Sequence, residues 1–221
     1  MPAPFDQSTY QVRLEWGVDG LSRLAPADIV VVVDVLRFSS SVADAVASGA
    51  EVPLEGAVGW SRNGAAVAAA AAAVDETTVL LGSLRNAGAV ARAVVTLQNR
   101  RQARTSVAVI AAGEADAAGA VRFAVEDQLG AGAVIDALTD LGIDHTAPDA
   151  AVAAEGFRAL RRALRHMVSA SGSAREIADG VPATARMTDA GVPPTSAAAA
   201  AELDALDTVP ILRDGVFVAF D

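Results

Sequence analysis

A run of β-branched residues, IVVVVDV at positions 29–35, is the clearest pattern in the chain, and it carries a single acid near its end. A short run that is apolar on both faces is typical of a strand in a parallel sheet. Shorter apolar runs at residues 51–54, 77–81 and 106–112 predict three more strands, and the alternation at residues 11–16 predicts an edge strand.

Helix-forming segments separate these strands. We predict helices at residues 43–50, 65–74, 87–98, 123–141, 151–168 and 202–206, a loop at 187–197, and a hairpin of residues 209–212 and 216–220 around Asp214-Gly215. The alternation of strand and helix predicts an α/β fold: a three-layer, mainly parallel sheet flanked by helices, with a C-terminal α/β extension. We expect one domain over residues 1–221, with a subdivision near 145–170 as the alternative.

The composition narrows the classes of function. A 52% hydrophobic content with 20% charged residues predicts a folded chain. The net charge of -10 repels phosphate backbones and argues against nucleic-acid binding. No segment has the pattern of a signal peptide or membrane span, so we expect a cytoplasmic protein without a membrane partner. The alanine-rich helix faces suggest a homo-oligomer.

The residues available for metal binding are carboxylates. The chain has no cysteine and two histidines, which excludes thiolate sites and disfavours a histidine-rich zinc site. Any metal should therefore be a hard cation such as Mg²⁺. The sequence also has no lysine, so every side-chain cation is an arginine, which suits bidentate phosphate or carboxylate contacts.

Four polar segments follow predicted strands: residues 34–41, 62–64, 82–86 and 113–114. Ligands of open parallel sheets bind beyond the carboxyl ends of the strands, and helix N-termini there favour anions. We therefore expect these segments to meet in one cleft.

Carboxylates near this edge are candidates for metal binding and proton transfer. We assign Asp34, Glu114, Glu126 and Asp127 as candidate Mg²⁺ ligands, and Asp34, Glu114 and Asp127 as candidate catalytic residues. Asp34 could instead cap the next turn, and Glu126 and Asp127 could serve only as favourable acids at a helix N-terminus.

Arginine and small polar residues are candidates for binding an anionic substrate. The candidates are Arg37, Ser39, Ser40, Arg62, Asn63, Gly64, Arg85 and Asn86. Arg37 could also pair only with Asp34, the serines could be an ordinary helix cap, and Asn63-Gly64 could be a simple turn. No Walker loop, GxGxxG motif or nucleophile elbow is present, so nucleotides have no support.

Several of these segments resemble one family in order along most of the chain. DVLRFSSSVADAVASGA (34–50) is similar to the opening motif of 2-phosphosulfolactate phosphatases, and LLGSLRNAGAVA (80–91) to that family's strand, S-x-x-N-A and helix. VAVIAAGE (107–114) and RFAVEDQLGAGAVI (122–135) resemble its A-A-G-E and E-D-x-x-x-A-G segments. SGSAREIADG (171–180) and LDTVPILRDG (206–215) resemble its S-x-G and D-x-x-P-x-x-x-D-G endings.

The resemblance implies a Mg²⁺-dependent hydrolysis of 2-phospho-3-sulfolactate, a step in coenzyme M synthesis. That substrate carries phosphate, sulfonate and carboxylate groups. The chain departs from the family after the second strand, where Ser61-Arg62-Asn63-Gly64 stands in place of T-T-N-G and the G-E-R and G-N-S-P motifs have no counterpart. The alternatives are therefore a phosphatase for another small phosphoester and an inactive anion-binding or oligomeric homologue.

Overall fold

The computed structural model describes residues 3–116 and 118–221. The strands are β1 (Val12–Trp16), β2 (Ile29–Val33), β3 (Val52–Pro53), β4 (Thr78–Gly82), β5 (Val107–Ala111), β6 (Glu114–Ala115), β7 (Val121–Arg122), β8 (Pro210–Arg213) and β9 (Val216–Ala219). The α-helices are α1 (Gly17–Arg23), α2 (Phe38–Ala47), α3 (Leu54–Val58), α4 (Gly64–Ala72), α5 (Ala87–Arg101), α6 (Val125–Asp140), α7 (Pro148–Leu160), α8 (Leu164–Ser169), α9 (Gly172–Asp179), α10 (Pro182–Asp189) and α11 (Ala197–Ala200). Leu84–Asn86 and Arg161–Ala163 form short 3₁₀ turns.

Seven strands form the central sheet, in the order β1-β5-β2-β4-β8-β9-β3. The pairs β1–β5, β5–β2 and β2–β4 are parallel, whereas β8 pairs with β4, and β9 with both β8 and β3, in antiparallel fashion. The predicted α/β fold with a mainly parallel sheet is confirmed. β6 and β7 form a separate antiparallel pair beside the main sheet.

Alternate side chains of β2 enter two different hydrophobic clusters. Val31 and Val33 pack with residues of α5, α6 and α7, whereas Val30 and Val32 pack with residues of α2 and α4. Each fully buried valine contributes roughly 1.5–3 kcal/mol relative to an exposed one. Burial on both faces explains why β2 is apolar at every position, and it produces the three layers.

Helices α6 and α7 approach closely because α6 has a glycine at the contact. A Cβ atom added at Gly132 would lie 2.2 Å from the carbonyl oxygen of Ala153 and 2.8 Å from Cβ of Phe157. Protein interiors are packed too densely to absorb such overlaps without movement of the backbone. The spacing of these two helices therefore depends on the absence of a side chain at residue 132.

The C-terminal hairpin is confirmed, and it completes the central sheet. β8 and β9 flank Asp214-Gly215, both with positive φ, and the pair lies between β4 and β3. Pro53 of β3 lies at the outer edge of the sheet, where a missing N–H is tolerated. That residues 1–221 form one domain stays a prediction.

Three predicted elements differ from the structure. The helix at 151–168 is interrupted by the 3₁₀ turn Arg161–Ala163, which lets α7 and α8 both bury apolar residues. The predicted loop at 187–197 begins with the last residues of α10. The helix predicted at 202–206 is wrong, because the backbone N–H groups of Asp204 and Leu206 donate to Leu84 and Arg85 carbonyls and Asp204 has φ 51°.

The alanine-rich segment predicted as a helix at 65–74 is α4, which covers nine residues and buries every third alanine, Ala65, Ala68 and Ala71, in the hydrophobic cluster on its side of the sheet. In the described ranges 3–116 and 118–221, no helix is both long and apolar enough to cross a membrane.

Candidate active site

A cavity of about 420 Å³ lies beyond the carboxyl ends of β2 and β5. Its walls come from the turn between β2 and α2, the turn before α4, strand β6, and helices α9 and α10. Five of the predicted site residues line it: Asp34, Arg37, Arg62, Asn63 and Glu114. Three of the four segments expected to converge therefore do meet here.

Asp34 follows the last residue of β2 and connects two walls of the cavity. One carboxylate oxygen accepts a hydrogen bond from the backbone N–H of Phe38 at 3.2 Å, and the other accepts one from Gly64 at 3.0 Å. A Cβ atom at Gly64 would lie 2.6 Å from Oδ2 of Asp34, so only glycine brings α4 this close. Asp34 thus aligns the N-termini of α2 and α4 at the cavity.

Burial determines the protonation of Asp34. Loss of hydration raises its pKa to about 6, against the lowering effect of the two backbone hydrogen bonds and of the Arg37 charge. The nearby charge of Glu126 raises the pKa further. A carboxyl group with a pKa near 6 can accept or release a proton near neutral pH, as general acid–base catalysis requires.

Asp127 and Glu126 lie behind Asp34 and do not line the cavity. Asp127 accepts hydrogen bonds from the backbone N–H groups of Val35 at 2.7 Å and Gly113 at 2.9 Å, so it joins the ends of β2 and β5. Burial, and then the charges of Asp34 and Glu126, raise the pKa of Asp127 well above its usual range. Glu126 accepts a hydrogen bond from the Ser173 hydroxyl of α9.

Glu114 and Asn63 hold each other in the opposite wall. Asn63 Nδ2 donates to Oε2 of Glu114 at 3.0 Å, and Oδ1 of Asn63 accepts from the backbone N–H of Ala115 at 3.2 Å. Burial, followed by the charge of Glu176, raises the pKa of Glu114, while Asn63, Arg62 and Arg37 act in the opposite direction. Both arginines therefore act electrostatically on the same carboxylate.

Ser39 and Ser40 are buried in the first turn of α2 and support the site from behind. The Ser39 hydroxyl donates to the Val32 carbonyl at 2.9 Å and accepts from the Asp34 N–H at 3.1 Å. The Ser40 hydroxyl has no hydrogen-bond partner among the residues that the structure describes. Neither residue lines the cavity, so their predicted contact with substrate has no geometric support.

Arg85 and Asn86 also lie away from the cavity. Arg85 donates to the carboxylate of Asp44 at 2.9 Å and to the Ala199 carbonyl at 2.7 Å. Asn86 is fully buried and donates to the carbonyls of Leu81 and Thr208. Both side chains attach the C-terminal segment to the end of β4. The segment 82–86 therefore does not join the other three.

The sequence did not single out Glu176 or Arg186, which line the cavity from α9 and α10. Trp60 and Met187 add apolar surface to the same walls. In the sequence, the acids and arginines of residues 172–189 resemble an ordinary solvated helix face. Only the docking of these helices across the sheet edge shows that two of the charges face a cavity.

Two of the four predicted metal ligands line the cavity, and this number matters for the kind of metal site they could form. Among the described residues, no group of three or more His, Cys, Asp or Glu side chains is arranged to hold a metal ion. Mg²⁺ commonly uses only one or two carboxylates and completes its shell with water and substrate phosphate. Asp34 and Glu114, which line one cavity, satisfy that requirement.

The buried acids predict an unusual pH dependence of stability. We expect the free energy of unfolding of the metal-free protein to fall by at least about 1 kcal/mol from pH 5 to pH 7.5. Folded Asp34 and Asp127 retain protons that the unfolded chain has already released, because folding raises both pKa values. Deprotonation with rising pH therefore favours the unfolded state.

Urea unfolding followed by tryptophan fluorescence measures this change. The Asp34→Asn variant is the control: it lacks one of the two carboxyl groups and keeps both histidines, and removal of the Asp34 charge also lowers the pKa of Asp127, so its stability should fall less. A free energy of unfolding that is constant or rises over this range contradicts the prediction.

The sequence itself was compared with known proteins. A family model described as 2-phosphosulpholactate phosphatase matches residues 56–215, which is most of the chain. No curated protein matches the sequence. The matched range contains Arg62, Asn63, Glu114 and the cavity-lining helices α9 and α10, whereas Asp34 precedes it. The chain belongs to the 2-phosphosulpholactate phosphatase family.

Proposed function

We propose that this protein is a Mg²⁺-dependent phosphatase that hydrolyses 2-phospho-3-sulfolactate, or a closely similar phosphoester with several negative charges, to the hydroxy acid and phosphate. The observation that carries the proposal is one cavity lined by Asp34 and Glu114 together with Arg37 and Arg62. Membership of a phosphatase family supports the same reaction class.

The arginines of the cavity are complementary to the negative charges of the proposed substrate. A guanidinium group binds phosphate, sulfonate or carboxylate through paired N–H donors. The side chain of Arg37 is 15% exposed, and its Nη1 is buried without a partner in the described part of the chain. This donor is closed to the cavity, so an oxyanion can reach it only if neighbouring side chains move, and the contact would then satisfy a buried polar group.

The carboxylates supply the other half of the proposed chemistry. Asp34 and Glu114 would hold Mg²⁺, which neutralises charge on the phosphoryl oxygens when it is bound. In the metal-free protein burial raises the pKa of Asp34 to about 6, so protonation of this carboxyl would compete with Mg²⁺ binding below neutral pH. Asn63 keeps Glu114 in place through its 3.0 Å hydrogen bond. Asp127 joins the ends of β2 and β5, and Glu126 accepts a hydrogen bond from Ser173 of α9; we assign neither residue a contact with the metal.

Two chemical routes fit this arrangement. A water molecule could attack phosphorus directly, or Asp34 could form a phospho-aspartate that is then hydrolysed. Acid quenching of the enzyme mixed with ³²P-labelled substrate distinguishes them, because only the second route leaves label on the protein.

Phosphate release from a panel of substrates tests the proposal. The panel is 2-phospho-3-sulfolactate, 2-phospholactate, 3-phosphoglycerate and p-nitrophenyl phosphate, each with Mg²⁺ and with excess chelator. We expect Mg²⁺-dependent release, with kcat/KM about tenfold or more higher for the sulfonate-bearing substrate than for 2-phospholactate, since one charge-assisted contact contributes roughly 1.5–3 kcal/mol. Equal kcat/KM values for the two contradict the substrate assignment.

The second candidate is an anion-binding homologue without phosphatase activity. The observation that favours it is that no group of three metal-binding side chains exists in residues 3–116 and 118–221. This candidate predicts no phosphate release from any member of the panel, with an increased melting temperature in phosphate or sulfolactate. Mg²⁺-dependent turnover of any one substrate excludes it.

A further inference from the structure

Glu176 places a negative charge beside the arginine that we assign to the substrate. Its Oε2 lies 3.8 Å from Nη2 of Arg37, across the gap between α9 and the turn after β2. Glu176 also lines the cavity, and after burial its charge is the next cause of the raised pKa of Glu114. Its carboxylate therefore faces the cavity.

The contact between Glu176 and Arg37 is weak enough to be displaced. The distance of 3.8 Å is long for a charge-assisted hydrogen bond, and the Glu176 side chain is 45% exposed. Partly exposed ion pairs of this kind contribute little to stability. Arg37, in contrast, is mostly buried, so its guanidinium position is fixed while Glu176 can turn toward water.

The two ends of the Arg37 guanidinium differ in their surroundings. Nη2 faces Glu176, while Nη1 is buried and without a partner among described residues. An anion that contacts Nη2 from the cavity takes the position of the Glu176 carboxylate. It must therefore displace that carboxylate and withstand its repulsion.

We propose that Glu176 limits the affinity of the cavity for anions: it is a displaceable counter-ion of Arg37 that competes with the substrate anion. The proposal rests on the proposed function only in taking Arg37 as the anion contact. Every anion that binds this guanidinium must break the ion pair and approach the Glu176 carboxylate, so the glutamate weakens anion binding.

Binding of inorganic phosphate to the metal-free protein tests this directly. Isothermal titration calorimetry at pH 7.5 and low ionic strength gives the Kd for wild type and Glu176→Gln. We expect Glu176→Gln to lower the Kd for phosphate about three- to tenfold, because the variant removes both the competing ion pair and the repulsion.

A matched control separates this local effect from the change in net charge. Glu155→Gln changes the charge equally, but Glu155 lies on α7, is 70% exposed and pairs with Arg158 instead of lining the cavity. We expect its Kd for phosphate to match that of wild type. Urea unfolding of each variant confirms that it is folded.

A second pair of variants, made in Arg37→Gln, tests whether the effect of Glu176→Gln on phosphate binding depends on Arg37. In Arg37→Gln, adding Glu176→Gln should lower the phosphate Kd by a smaller factor than it does in wild type, since only the repulsion is removed and there is no guanidinium to compete for. The proposal is overturned if Glu176→Gln binds phosphate no more tightly than wild type, if Glu155→Gln gains as much, or if the gain is as large without Arg37 as with it.

These measurements do not depend on turnover. If no phosphoester is hydrolysed but Glu176→Gln binds phosphate more tightly, the phosphatase proposal fails and the role of Glu176 stands. If substrate is hydrolysed while phosphate binding by Glu176→Gln is weaker or undetectable, the role of Glu176 fails alone. For an active enzyme, we also expect a lower KM in Glu176→Gln with kcat within about twofold, as for loss of ground-state competition.

Discussion

Asp34→Asn is expected to lower kcat for phosphate release by at least about a hundredfold, the lower end of what acid–base and electrostatic groups contribute. The substitution removes the charge that faces the cavity and turns one acceptor of a backbone hydrogen bond into an amide that cannot accept it. Steady-state phosphate release with saturating Mg²⁺ measures the effect.

The folded state should survive this substitution. Removal of a buried charge offsets much of the lost hydrogen bond, so we expect the free energy of unfolding at pH 7.5 to change by less than about 2 kcal/mol. Asp140→Asn is the control, because Asp140 is exposed at the end of α6. If Asp34→Asn keeps kcat within threefold of wild type, Asp34 has no part in the chemical step.

Gly132→Ala is expected to destabilise the protein by more than about 3 kcal/mol, at the upper end of overpacking effects. The new methyl group would meet the Ala153 carbonyl at 2.2 Å, and that oxygen belongs to the backbone of α7, so no side-chain rotation relieves the overlap. The helices must separate, which opens the core around Phe157. Urea unfolding measures the loss.

Gly156→Ala provides the matched control on the facing helix. A Cβ atom at Gly156 meets nothing within 4 Å, and alanine favours a helix interior over glycine by roughly 0.5–1 kcal/mol. We therefore expect Gly156→Ala to be as stable as wild type or more so. Equal stability of the two variants contradicts the tight packing of α6 against α7.

The sequence predicted those parts of the fold that have a local signal. IVVVVDV indicated a doubly buried strand, and β2 lies inside the parallel set, between β5 and β4. The Asp214-Gly215 turn between two apolar runs indicated the hairpin. The position of that hairpin next to β4 had no local signal, because strand order in a sheet depends on contacts between distant segments.

The sequence predicted the site residues that lie just after a strand or just before a helix at the carboxyl edge of the sheet. Asp34 and Glu114 fit that rule and line the cavity, and so do Arg62 and Asn63 before α4. Arg85 and Asn86 obey the same local rule, but the C-terminal segment covers them.

The sequence did not identify two charged residues of the cavity, because their position depends on packing between distant segments. Glu176 and Arg186 lie more than 130 residues after Asp34 in the sequence, and the docking of α9 and α10 brings them to the cavity. Polarity along the chain could not distinguish them from the exposed arginines of α7 and α8.

The place of the C-terminal hairpin has a consequence for biosynthesis. Among the described residues β3 pairs only with β9, and the other strand that β9 pairs with is β8, so β3 cannot join the sheet until residues 210–219 have left the ribosome. Until then β4 is an unpaired, apolar edge strand, which can pair with other nascent chains. We therefore expect a ribosome-stalled chain ending at residue 205 to recruit chaperones, although every residue of the proposed catalytic centre has already been made.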